Sequence, residues 1–193
     1  MTRRRMKALF PVLLSFAILA DSTTLAQRSR RPVRKEEPPS PVRVTRAATL
    51  RVSISTDSVT IFEYLSDAKK LQQWFPDQAI MEAQLGGKYH FRWKDAEGVW
   101  TGVVTQYIRG NILGYTWEPP GETTETNVQF KLFPQGAETL IELTHSGFDT
   151  NEAMDKEIKA WDFYLQNLKS LIEQGTDTRP MPKERPARAR PRR

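Results

Sequence analysis

The chain of 193 residues has no cysteine and only two histidines, His90 and His145. The first absence excludes a disulfide framework, a thiolate metal site and a lipidated cysteine, so stability must come from packing. The second, with neither an HxH nor an HExxH spacing, argues against a zinc site. Glycine is missing from both ends, all ten lying between Gly86 and Gly175. No glycine-rich phosphate loop is present, because the Gly86-Gly87 pair is short and opens a strand rather than a helix. Aromatics are equally scarce at the ends, with seventeen of nineteen between Phe62 and Tyr164. The longest apolar run, Ala8 to Ala20, is too short to cross about 30 Å of hydrocarbon comfortably.

These gaps divide the chain into four parts. Residues 1–26 have a basic start, an apolar run and a small-residue pattern ending at Ala26, the layout of a secretory signal peptide. The expected location is therefore periplasmic or secreted, with the export route left open by the arginine-rich start and no transmembrane helix in the mature chain. Residues 27–45 and 176–193 are rich in proline and basic residues and lack apolar periodicity, so they read as a disordered linker and tail. Residues 46–175 form the folded unit, which at about 130 residues buries roughly two thirds of its unfolded surface.

Charge follows the same division. Residues 44–175 carry twelve Lys+Arg against eighteen Asp+Glu, whereas residues 1–43 carry ten against three and residues 176–193 seven against two. The net charge of +6 thus belongs to the tails. Specific nucleic-acid binding by the domain is not expected, since that requires a basic folded surface. The tails fit weak contact with anionic surfaces.

Within the domain, "TLRVSIS" alternates Leu50, Val52 and Ile54 against polar residues and reads as a strand with one buried face. Thr56 or Asp57 caps a short helix presenting Val59, Phe62 and Leu65, and Ser66 starts a second, ended by Pro76. A meander of antiparallel strands follows, with turns at "DAEG", "RGN", "PPGE" and "PQGAE". Parity places Tyr89, Phe91 and Trp93 inward, with Leu113, Tyr115, Trp117, Val128, Phe130, Leu132, Ile141, Leu143 and His145. The segment "VWTGVVTQYI" has no clear inner face. A final helix, from about Asn151 to Gln174, carries the stripe Met154, Ile158, Trp161, Leu165, Leu168 and Ile172. Asp149 with Glu152 offers a capping box and Gly175 a C-terminal cap. The expected fold class is α+β: a curved antiparallel sheet of about six strands around a long C-terminal helix, with two short helices after the first strand.

This order, together with Trp74, "LGGKY", "LGYTWE", "TLIELTHSGF" and "WDFYLQNLKSL", resembles the START-like helix-grip (SRPBCC) superfamily. Within it the chain is most similar to the branch named after the activator of heat-shock protein 90 ATPase. One departure is Ala160, where the family often has glycine before the tryptophan of the last helix. The resemblance implies a pocket between sheet and final helix for a lipid, polyketide or other apolar molecule, with no cofactor. The branch name implies chaperone stimulation, a cytosolic role that an exported protein would not meet.

The candidate ligand-binding wall is Tyr89, Phe91, Trp93, Tyr115, Trp117, Phe130 and Trp161, with His145 as a polar contact. The alternative is that these aromatics fill the interior themselves, each burying about 150–250 Å². In that case the protein is a solid-cored interaction domain whose tails do the binding. His145 is equally open to a structural role, hydrogen-bonded within the core. A third alternative is an enzyme rearranging a polyketide-like substrate, but no catalytic constellation is identifiable: Glu142 takes the opposite parity from His145, and Ser146 lacks a nucleophile elbow.

Overall fold

A computed structural model describes residues 45–180, all within the unit Val42–Arg193. The expected signal peptide, the linker up to residue 44 and the tail from residue 181 lie outside the described residues. The domain opens with β1 (Arg46–Ile54), α1 (Ser58–Ser66) and the single-turn α2 (Ala68–Leu71). Six strands follow, β2 (Gln78–Met81), β3 (Lys88–Arg92), β4 (Trp100–Ile108), β5 (Ile112–Trp117), β6 (Thr126–Gln135) and β7 (Glu138–Phe148), and then the long helix α3 (Asn151–Gln174). The strands form one curved antiparallel sheet in the order β1-β7-β6-β5-β4-β3-β2. Since β1 and β2 occupy opposite edges, the two short helices carry the chain from one edge to the other.

The sheet has one strand more than expected. β2 is only four residues long, with Ala79 half-buried and Ile80 exposed, and so leaves no pattern to read. The ambiguous segment is resolved by an irregularity in β4: pairing with β5 shifts between Val104 and Gln106. Gly102 and Val104 face inward before it and Tyr107 after it, so the parity changes partway along the strand.

Helix ends differ from expectation in detail. Asp57 caps α1, accepting from the Thr60 amide at 2.9 Å. Ser66 ends α1 rather than starting α2, donating to the Phe62 carbonyl at 2.7 Å, and Asp67 caps α2. Phe62 and Leu65 are buried as expected, but Val59 is 42% exposed and Ile61 takes its place on the buried side. The cap of α3 is Thr150, whose hydroxyl accepts from the Ala153 amide at 3.1 Å; the Asp149 carboxylate instead accepts from the Thr124 hydroxyl at 3.0 Å. Gly175 ends α3 in the left-handed conformation, φ 69°, as expected.

The two halves of α3 pack differently. Toward its C-terminus Leu165 and Leu168 are fully buried, Lys169 donates to the Ser53 carbonyl at 2.7 Å, and Glu173 accepts from the Ser55 amide at 2.9 Å. Toward its N-terminus Met154 and Ile158 are only half-buried. Asn167, wholly buried on the docked half, donates to the Trp74 carbonyl at 2.9 Å and accepts from the Thr178 amide at 2.6 Å. Arg179 then donates to the Gln72 carbonyl at 3.0 Å. Residues 176–180 are thereby tied to the domain.

Candidate functional site

Eleven of the twelve side chains expected to face inward are buried; Trp93 is half-buried because β3 stops at Arg92. The candidate wall separates into two regions. Tyr89, Phe91, Tyr115 and Phe130 form a solid block, each at most 3% exposed, with Tyr89 and Phe91 centroids 4.4 Å apart. The Tyr89 hydroxyl donates to the Thr116 carbonyl at 2.7 Å. Burial raises the pKa values of Tyr89 and Tyr115 well above the usual phenol range, so both stay neutral.

Trp93, Trp117 and Trp161 border open space instead. A cleft of about 580 Å³ lies under the N-terminal half of α3, walled by these indoles with Phe75, Trp100 and Tyr164. Left dry, a void of that size would cost about 14 kcal/mol, comparable to a small domain's whole stability. Its exposed rim, including Asp95, Glu97 and Glu122, keeps it wet. Smaller spaces adjoin it, one of about 280 Å³ toward Phe148 and one of about 230 Å³ toward Arg179.

Of the eight residues singled out from sequence, three line the cleft. Tyr89, Phe91, Tyr115, Phe130 and His145 line none of the three spaces, because ring-to-ring packing and hydrogen bonding occupy them in the core. His145 is fully buried, accepting at Nδ1 from the Trp161 indole N–H at 3.1 Å. Its Nε2 lies 2.8 Å from the Thr126 hydroxyl, which bonds the Trp117 carbonyl at 3.2 Å. Since Nδ1 accepts, Nε2 carries the proton and donates to Thr126, which passes its own to the carbonyl. Burial lowers the imidazole pKa to about 3 and keeps the ring neutral. This chain of bonds fixes the Trp161 indole and ties it to the main chain of Trp117.

Two polar groups there lack a well-formed hydrogen bond or ion pair among the described residues. The Trp117 indole N–H is buried without a hydrogen-bond partner among the described residues, a deficit of about 1–3 kcal/mol. Glu157, half-buried on α3, interacts with that N–H without closing a bond that meets normal geometry. Burial raises the Glu157 pKa and the neighbouring Glu122 adds to the rise, while Lys156 and the indole oppose it.

Sequence reasoning missed Phe75, Trp100, Tyr164 and Glu157. Phe75 is the hub, with ring centroids 4.8 Å from Trp161, 4.9 Å from Tyr164 and 5.1 Å from Trp93. It lies in the turn after α2, where no periodicity reveals an inward residue. Tyr164 follows Trp161 by three residues, a spacing that could have placed the two on one helix face.

A seven-stranded antiparallel sheet gripping one long helix, with an aromatic cleft beneath the helix, defines the START-like helix-grip class. Residues 56–173 match the family described as Activator of Hsp90 ATPase homolog 1-like protein, and the chain belongs to that family. No curated protein matches it. Among solved structures, it is similar to the Aha1 dimer from Colwellia psychrerythraea, at 21% identity and TM-score 0.61, covering 68% of this chain and 98% of that one. A Mesorhizobium loti protein is 20% identical with TM-score 0.62, covering 68% and 99%. CalU16 from Micromonospora echinospora is 18% identical with TM-score 0.59, covering 68% and 78%. At these identities the likeness establishes the fold alone.

Proposed function

We propose that this protein is an exported binder of an apolar or amphipathic small molecule, held without chemical change in the cleft beneath α3. The observation that carries this reading is the cleft of about 580 Å³, whose size falls within the range of ligand sites. Two of its tryptophans are held by indole hydrogen bonds: Trp161 through His145, and Trp93 by donation to the Phe75 carbonyl at 3.1 Å. A wall fixed before binding loses little entropy when a ligand arrives. No cofactor is invoked. His145 is committed at both ring nitrogens to binding its neighbours, which disfavours a cyclase-like role for it.

Export rests on residues 1–26, and it argues against stimulation of a cytosolic chaperone ATPase despite the family's name. The basic tails would add weak retention at anionic envelope surfaces. Retention of the full chain on anionic vesicles at low salt, lost at high salt, checks that role; retention indifferent to salt contradicts it.

Titration with the neutral fluorescent amphiphile N-phenyl-1-naphthylamine tests the binding reading. Saturable binding is expected, with Trp93→Ala weakening it by about tenfold while the protein stays folded, because Trp93 is half-buried at the cleft. Absence of saturable binding, or unchanged affinity in Trp93→Ala, contradicts the reading.

A further inference from the structure

We infer that the cleft selects an organic cation: a protonated amine joined through an oxygen acceptor to an apolar or aromatic body. This rests on the ligand-binding reading and names the ligand's chemistry. Three features of the lining define this chemistry.

The first is charge. Five carboxylates border the cleft, those of Asp77, Asp95, Glu97, Glu122 and Glu157, against the single ammonium of Lys156. Asp77 is already engaged by Lys94, at 3.3 Å. None of the other four makes an ion pair among the described residues. An anionic ligand, such as a fatty acid, would meet an excess of carboxylates over the one ammonium at the mouth, whereas an amine would be drawn in.

The second is the wall. Indole faces attract cations through their quadrupole, and the attraction strengthens when the cation is desolvated. Trp93, Trp100, Trp117 and Trp161 all line this one space, Trp93 and Trp100 with centroids 4.7 Å apart. Carboxylates and indoles lining one space make a site that compensates an ammonium for the water it leaves.

The third is the Trp117 N–H, on a side chain only 3% exposed, which reaches no acceptor in normal hydrogen-bond geometry among the described residues although Glu157 lies close. It donates only, so a ligand satisfies it with an oxygen acceptor rather than with the ammonium. Glu157 lies beside it and would take the ammonium, which places acceptor and cation next to each other in the ligand. An amino ether or amino alcohol has this arrangement. The Glu157 carboxyl, whose protonated form burial favours, is drawn to its ionised form by such a partner.

A matched series tests this in the full chain: 2-phenoxyethylamine, 2-phenoxyethanol and phenoxyacetate share ring and ether oxygen and differ in charge. Binding is followed by the indole N–H resonances in nitrogen-15 spectra. The amine should bind about tenfold more tightly than the alcohol, with the acid weakest, and should move the Trp117 N–H signal. Glu157→Gln, which keeps the shape and removes the charge, should reduce the preference for amine over alcohol several-fold. Alcohol or acid binding as tightly as the amine, or an unchanged preference in Glu157→Gln, overturns the cation assignment while leaving the cleft a ligand site. If none of the three shifts the cleft indoles, the ligand-binding reading falls and takes this inference with it.

Discussion

His145 gives the domain a built-in sensitivity to acid. Its pKa is about 3 in the folded protein against an ordinary value of 6.5, so between those limits the unfolded chain binds a proton that the native state refuses. The stability it contributes is complete above about pH 6.5 and drains away as pH falls toward about 3. From pH 7 to pH 5 the loss amounts to about 2 kcal/mol. Denaturant unfolding across that range should show it, and His145→Gln should flatten the pH dependence while lowering stability at pH 7 by about 1–3 kcal/mol. An equal slope in both proteins would contradict the assignment. The inward direction of His145 was legible from strand parity, but its partners were not. Thr126 and Trp161 lie 19 and 16 residues away on other elements, and no local pattern joins them. Glu157 was hidden for a different reason: it sits off the apolar stripe of α3 and is enclosed only because the turn carrying Pro119 and Glu122 borders the same cleft.

Among the elements, β4 decides where solid core gives way to cleft. Gly102 pairs with Tyr89 across β3 and β4, and the tyrosine ring lies over it. A Cβ there would stand 2.2 Å from the Thr116 carbonyl oxygen and 2.6 Å from the Tyr89 ring. Gly102→Ala should therefore cost about 3 kcal/mol, read by thermal or denaturant unfolding. Gly114→Ala serves as the milder comparison, since its nearest neighbour is the Gln106 side chain at 3.2 Å, which can move. Equal stability of Gly102→Ala and the parent would contradict the close packing of Tyr89. The succession of the six longer strands, the presence of two short helices after the first and the extent of α3 were legible because each carries period and punctuation. The irregularity in β4 erased its period, and β2 was too short to have one. In α3 the uniform stripe concealed that one half is fully docked while Met154 and Ile158 in the other are only half-buried.

At the scale of the whole molecule, the sequence left open whether the aromatic interior is solid or hollow, because parity reports direction and not the depth of the facing surface. The fold combines both: four aromatics pack against one another beneath the sheet, and three others with Phe75 face an acid-rimmed cleft. This partition lets a cysteine-free domain keep a stabilising core and still offer a cleft of about 580 Å³. Native mass spectrometry of the protein isolated from its source cells, followed by organic extraction, tests that account most directly. A polypeptide beginning at Gln27 with one small molecule bound at stoichiometric occupancy is the predicted result, and the extracted compound should be an amphipathic amine. Polypeptide retaining residues 1–26, and bare under gentle conditions, would contradict it.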